Sequence, residues 1–543
     1  MHQAGNDSVI TLDAIVVGAG FAGLYMLHRL RELGVTARIF ERGSGVGGTW
    51  YWNRYPGARC DVESLEYSYK FDDALQQEWV WTERYAAQPE ILAYLNHVAD
   101  RFGLRPDIAL RTTVTAAAYD EARARWRVTT EDGERYDVRY FIAATGCLSE
   151  PTRPRYPGQE DFAGRILYTS RWPREDVDFS GQRVAVIGTG SSGIQSIPII
   201  ASQASRLTVF QRTPSFSVPA CNRPLLADEV AKTKLEHQRF REHNLEQAFA
   251  FNLFVNPRNA ADASPEEREA EFERRWSAFG GLQFLGAFQD ILLDSDANRE
   301  AQAFIRRKIR SIVEDPATAE MLVPTDHAVG CKRLCSDTGY YETYNRPNVE
   351  LIDLRADPIS RFARDGIVVG ERTVAADAIV YATGFDAITG ALSRIDIRGR
   401  NGTRLADQWE YGAGAYLGLM VAGFPNFFTI TGPGSPSVLT NMVMAIEDHV
   451  DWVANCIRYL DDEAITAIEA TAEQQTAWMQ EVAAIAEATQ FTGCNSWYSG
   501  SNVPGKPQTF TIYVGFADYR NRIREIAERG YDTFALRSTA QPA

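Results

Sequence analysis

The chain has 543 residues, with 56 Lys and Arg against 71 Asp and Glu and a formal net charge of −15. That length calls for several domains of the usual ~150 residues, and the acidic balance is the wrong sign for an electrostatic grip on nucleic acid. With 45% hydrophobic residues and 11 Trp, 23 Tyr and 27 Phe, packed cores are well supplied. The seven cysteines are odd in number and scattered, none in C-x-x-C spacing, so neither a disulfide framework nor a zinc knuckle is expected. None of the seven histidines falls in H-E-x-x-H or a tight cluster, and no metal is expected. The first residues, MHQAGNDSVITLD, carry no Lys or Arg and no apolar run, and no stretch is long and apolar enough to span a bilayer. The expectation is a soluble cytoplasmic monomer with no membrane or nucleic-acid partner.

Taken in chain order, the first element is the β-branched run Asp13-Ala-Ile-Val-Val17, which enters Gly18-Ala-Gly20-Phe21-Ala-Gly23 and then a helix-like stretch from Leu24 to Leu33. Strand, glycine turn and helix together form a dinucleotide fingerprint. A second strand, Thr36 to Phe40, ends at Glu41, where a carboxylate can take the hydroxyls of an adenosine ribose. The pattern recurs at Gln182 to Ile187, Gly188-Thr189-Gly190-Ser191-Ser192-Gly193 and a helix from Ile194, followed by the strand Leu207 to Phe210. This time the strand ends in Gln211-Arg212-Thr213, and a guanidinium suits a ribose 2′-phosphate. An acid after one motif and a base after the other argue for two ligands, a flavin (FAD) and the nicotinamide that reduces it (NADPH).

Residues 222–328 are charged and helix-favouring, with Ser264-Pro265 and Glu267 predicting a capping box, and read as a helical insertion whose charges form a solvated face. Strand-like segments return at Val349 to Asp353 and Gly366 to Gly370, and Ala382-Thr-Gly384 echoes Ala144-Thr-Gly146. The resulting expectation is an α/β protein with two Rossmann-like domains. An FAD domain in two parts (1–147 and 385–543) encloses an NADP domain (148–221 and 329–384) that carries the insertion. The terminal Ser-Thr-Ala-Gln-Pro-Ala is expected to be loose.

Two further motifs point to a family. Gly47-Gly48-Thr49-Trp50 followed by Tyr55-Pro56-Gly57 and Asp61, and Phe162-x-Gly164-x-x-x-Tyr168-x-x-x-Trp172-Pro173, resemble the two fingerprints of type I Baeyer–Villiger monooxygenases. The second departs at one position, Tyr168 standing where the family pattern has His. The likeness extends to Lys332-Arg333, Tyr340 to Arg346, Gly432 to Ser437 and Ser496 to Lys506, and is greatest to phenylacetone and steroid monooxygenases. It implies that NADPH reduces FAD, that dioxygen adds to the flavin, and that the peroxide anion attacks a ketone to give an ester or lactone. Bulky aryl, cyclic or polycyclic ketones, and sulfides, are the implied substrates.

The same resemblance assigns Arg333 as the permanent cation beside the peroxide and Asp61 as its partner. Gly48, Thr49, Trp50, Tyr67 and Met442 fall on the flavin side, and the glycine motif with Gln195, Arg212, Thr213, Lys332 and Trp497 on the NADP side. Ser437, Val438 and Leu439 fall in the substrate pocket. Each has a plainer alternative. Arg333 could pack its stem at a strand edge, Asp61 could cap a helix, Trp497 could be a core aromatic, and Ser437 to Met442 could be core. Among whole-protein readings, an N- or S-oxygenating flavin monooxygenase is the nearest rival, and a non-catalytic NADP sensor a more distant one. A disulfide reductase lacks its cysteine pair.

Overall fold

The computed structural model describes residues 9–538, so the start of the chain and the loose tail expected at its end lie outside the described residues. The continuous apolar run Ala14 to Val17 places the strand Ile10–Val17 inside the first sheet, with Ala37–Glu41 parallel on one side and Arg135–Ala143 parallel on the other. Its central residues are buried on both faces, as parallel strands covered by helices must be. Arg125–Thr130 and Val114–Asp120 continue the sheet as an antiparallel meander. Strands far along the chain complete it: Asp396–Arg398 pairs with Val114–Asp120, and Phe427–Thr429 with Arg135–Ala143 in the register Phe427 to Phe141.

The second sheet is wholly parallel, in the order Val349–Asp353, Arg206–Gln211, Arg183–Ile187, Ala378–Tyr381, Arg165–Tyr168. In both sheets the glycine turn follows the central strand, and a helix, Phe21–Glu32 or Ser191–Gln203, packs back over it. The third glycine of each motif is there for sterics, because a Cβ on Gly23 or Gly193 would run into the carbonyl of Gly18 or Gly188. Inserted helices follow the second nucleotide half. In the helix Pro265–Arg274 the expected capping box is formed, with Ser264 Oγ accepting from Glu267 N at 3.3 Å and Glu267 Oε2 from Ser264 N at 2.9 Å. The long helix Met442–Asp462 lies against Phe21–Glu32 and closes the first domain.

The cysteine expectation needs a correction. Cys331 and Cys494, 163 residues apart, form a disulfide with their Cα atoms 6.3 Å apart. Spacing along the chain carries no trace of it, because it depends on two loops meeting in space; the other five cysteines are free. Among the described residues no helix is long and apolar enough to cross a membrane, and no cluster of side chains could hold a metal.

Candidate active site

A cavity of about 500 Å3 runs from the first glycine turn to the edge of the second domain. Its walls include Gly18, Gly20, Phe21 and Glu41, then Gly48, Thr49, Trp50 and Tyr67, and also Asp61, Arg333, Met442 and Trp497. The second glycine motif reaches the same cavity through Ser191 and Gln195.

The walls are built by short-range chemistry. Glu41, 5% exposed, accepts from the Ala19 N–H at 2.9 Å and the Gly43 N–H at 2.7 Å, so two backbone donors orient its carboxylate at the cavity wall. Gly48 has φ of 53° and lies against Gly20, which leaves a stretch of wall without side chains where a pyrophosphate can approach the backbone. Trp50 donates from Nε1 to the Tyr67 hydroxyl at 3.1 Å, and Tyr67 packs edge-on to Phe21 at 5.4 Å. These features fit a flavin dinucleotide lying along the cavity.

On the same cavity wall Arg333 makes a two-pronged ion pair with Asp61, from Nε to Oδ2 and from Nη2 to Oδ1, both at 2.9 Å, while Nη1 donates to the Val438 carbonyl at 2.8 Å. Burial pulls the guanidinium pKa down, but the Asp61 charge and hydrogen bonds outweigh it and hold it above its ordinary value. Arg333 is therefore a permanent cation facing a cavity. No helix begins at Asp61, so it is not a helix cap.

The two domains are joined beside this pair. Gln195 accepts from the Tyr55 hydroxyl at 2.8 Å and donates to the Arg59 carbonyl at 3.0 Å. A Cβ on Gly57 would strike the Gln195 carbonyl, so the aromatic-Pro-Gly step of the fingerprint is a contact surface for the second nucleotide helix.

On the other side of that helix, Thr189 Oγ1 donates to the Thr213 carbonyl at 3.2 Å, fixing the glycine turn to the strand end that carries Arg212. Gly188, Gly190, Ser192 and Gly193 form the turn and its first helical residues, and a Cβ on Gly190 would project into open space. Arg212 is exposed and, among the described residues, has no hydrogen bond or ion pair, while half-buried Lys332 lies close enough to feel its charge. Burial lowers the Lys332 pKa, Asp326 opposes the shift and Arg212 adds to it. Two cations with so little compensation suit a dianionic phosphate.

Of the expected substrate residues, Val438 lines the cavity; Ser437 and Leu439 do not. Ser437 is fully buried with its hydroxyl 3.0 Å from the Cys147 sulfur, and Leu439 packs in the same apolar cluster. The short helical turn Ser437–Leu439 thus presents one residue in three, Val438, to the cavity. Trp497 is on the cavity wall at the start of another short turn, so it is not simply a core aromatic. Tyr168 ends the edge strand of the second sheet. Its ring stacks on Tyr381 at 5.0 Å and its hydroxyl accepts from Gln159 at 3.4 Å, on the sheet face packed with Phe162 and Phe362.

Residues 15–241 match the family model described as pyridine nucleotide-disulphide oxidoreductase. The chain is 44% identical to acetone monooxygenase (methyl acetate-forming) of Gordonia sp., over 97% of this chain and 100% of that one. The chain belongs to the Baeyer–Villiger monooxygenases. Another relative, phenazine N-monooxygenase of Lysobacter antibioticus, is 42% identical over 97% of both chains. The solved structure of oxidized steroid monooxygenase bound to NADP superimposes with a TM-score of 0.93 at 51% identity, covering 97% of this chain and 100% of that chain. In this Baeyer–Villiger monooxygenase Tyr168 packs with Tyr381 on one face of the second sheet and does not line the cavity.

Proposed function

We propose that the protein binds FAD and NADPH and catalyses the reaction of a ketone, dioxygen, NADPH and a proton to an ester or lactone, NADP+ and water. One oxygen atom enters the bond between the carbonyl carbon and its neighbour. FAD, once reduced by NADPH, supplies the activation of dioxygen. The observation that carries the reading is Arg333 fixed by Asp61 on the cavity wall. A ketone is attacked by an anionic oxygen nucleophile, which is lost if protonated. A guanidinium stabilises that charge without offering a proton at working pH, and its fork fits the paired carboxylate.

Arg212, Thr213 and Lys332 hold the 2′-phosphate, and Gln195 keeps the NADP helix against the flavin domain. Trp497 covers the nicotinamide end and offers an indole N–H to its ribose. Val438 and Met442 bound the substrate side, with bulky aryl, cyclic or polycyclic ketones as substrates and sulfides as secondary ones. The 42%-identical phenazine N-monooxygenase supports a second reading, oxygenation of a heteroaromatic nitrogen. It needs a neutral, electrophilic oxidant, for which a permanent cation has less use.

The test is turnover of the FAD-loaded protein with NADPH under 18O2, on a panel of ketones, sulfides and aza-arenes. Ester carrying a single 18O is expected. N-oxide formation with no ester from any ketone favours the second reading.

A further inference from the structure

The Cys331–Cys494 disulfide joins two segments that both reach the cavity. Arg333 follows Cys331 by two residues and Trp497 follows Cys494 by three, and both side chains are on the cavity wall. From Ser496 onward the loop is tied largely to itself. The backbone N–H groups of Ser499 and Ser501 donate to the Ser496 carbonyl, that of Gly500 to Trp497 and that of Val503 to Gly500. At the loop's far end Asn502 donates to the Phe385 carbonyl at 2.8 Å and Lys506 to the Ala387 carbonyl at 2.9 Å, and Lys506 also pairs with Asp386. In between, Tyr498 buries its ring beside Val438 and Leu439. The covalent attachment is at the loop's start, where the disulfide fixes residue 494.

The two sulfurs are not equally placed. Cys331 is 1% exposed, whereas Cys494 is half-buried between exposed Gly493 and Asn495. Thiol exchange needs a thiolate to reach one sulfur of the bond, and here that sulfur is Cys494. A released Cys331 thiol has an acceptor ready in the Thr492 carbonyl, 3.1 Å from its sulfur. The five free cysteines are buried except Cys221, which is half-buried and is therefore the one background thiol to control for.

We propose that Cys331–Cys494 is a thiol-exchange site that sets how firmly the Trp497 loop is seated on the cavity, its reaction partner being a dithiol. A thiolate of the dithiol attacks Cys494 Sγ, the bond to Cys331 breaks, and Cys331 leaves as a thiolate that takes up a proton. The second thiol, deprotonated, then displaces Cys494 from the mixed disulfide. The protein gains two electrons and two protons, the dithiol becomes a disulfide, and exchange in the other direction closes the bond again. Once reduced, the loop keeps its attachment at Phe385 and Ala387 but loses the covalent one before Trp497, and NADPH is held less firmly. That consequence rests on the Baeyer–Villiger reading, in which Trp497 covers the nicotinamide end.

The test uses full-length, FAD-loaded protein, treated without denaturant with dithiothreitol or with oxidised glutathione and then freed of reagent. Alkylation and peptide mass analysis should find Cys331 cross-linked to Cys494 after oxidised glutathione, and Cys494 alkylated after dithiothreitol. In the reduced protein the KM for NADPH should rise about fivefold or more and ester formed per NADPH should fall about twofold or more, while flavin reduction at saturating NADPH stays within about twofold. Oxidised glutathione should restore both. Cys494→Ser should behave as the reduced protein under either treatment, and Cys221→Ser should respond as the parent does. A bond that dithiothreitol leaves intact in the folded protein, an equal KM for NADPH in the two states, or a response that survives in Cys494→Ser would each overturn the proposal. The two states of the parent decide the matter even if Cys494→Ser does not fold. A parent that forms no ester in either state refutes the Baeyer–Villiger reading instead, and the mass analysis with the KM for NADPH, read from NADPH oxidation, then decides the exchange site by itself.

Discussion

The first glycine turn leads to a strand whose last residue, Glu41, is buried and already bonded to two backbone N–H groups; the second leads to Arg212, exposed and bonded to nothing among the described residues. The backbone device is the same in both, down to the glycine whose Cβ would strike the turn's first carbonyl. On the proposed assignment of Glu41 to a ribose and Arg212 to a phosphate, the difference follows from what each site recognises. A carboxylate meant for neutral ribose hydroxyls can be anchored in advance, since the hydroxyls ask only for its remaining lone pairs. Cations meant for a phosphate must be left uncompensated, or the phosphate would have to displace a partner.

The sharpest way to break this comparison is Arg212→Ala. A charge-assisted contact to phosphate is worth about 1.5–3 kcal/mol, so the KM for NADPH should rise by roughly 10- to 150-fold while that for NADH hardly moves. Equal effects on both cofactors in steady-state assays would remove Arg212 from the phosphate site.

Lys332 refines the same contrast through pH. Its pKa is lowered by burial, with Arg212 adding to the shift against Asp326. A lysine in that position loses its charge at a lower pH than usual, and a bound phosphate draws the proton back. Affinity for NADPH should therefore weaken as pH rises on the alkaline side, and Lys332→Arg should flatten that dependence because a guanidinium does not titrate there. Parallel KM profiles for parent and variant would show that the lysine charge is not used.

The smallest effect is expected at Tyr168. Because its ring packs on Tyr381 on a face of the second sheet and does not line the cavity, Tyr168→His should change kcat less than about tenfold, below ~1.4 kcal/mol of barrier. A gain of about a hundredfold in ketone oxidation would instead mean that imidazole chemistry is required.

Residues that act through contiguous sequence were the legible ones. The glycine turns, Glu41, Arg212 and the Ser264 to Glu267 cap all announce themselves within a few positions, because strand, turn and helix are local objects. Arg333 and Asp61, 272 residues apart, were readable only through the family's motifs, since no local pattern pairs a guanidinium with a distant carboxylate. What escaped was set by packing alone. The Cys331–Cys494 bond and the inward turn of Ser437 onto Cys147 both depend on segments far apart in the chain meeting in space.

The central claim, that the Arg333–Asp61 pair supplies a fixed cation for ketone oxidation, is tested most directly by Arg333→Ala, assayed for NADPH consumed, hydrogen peroxide released and ester formed. The variant should bind FAD and consume NADPH while forming no ester, with peroxide accounting for the NADPH, and Arg333→Lys should recover little because an ammonium can give up a proton and lacks the fork. Ester formation by Arg333→Ala at the parent rate would contradict the account.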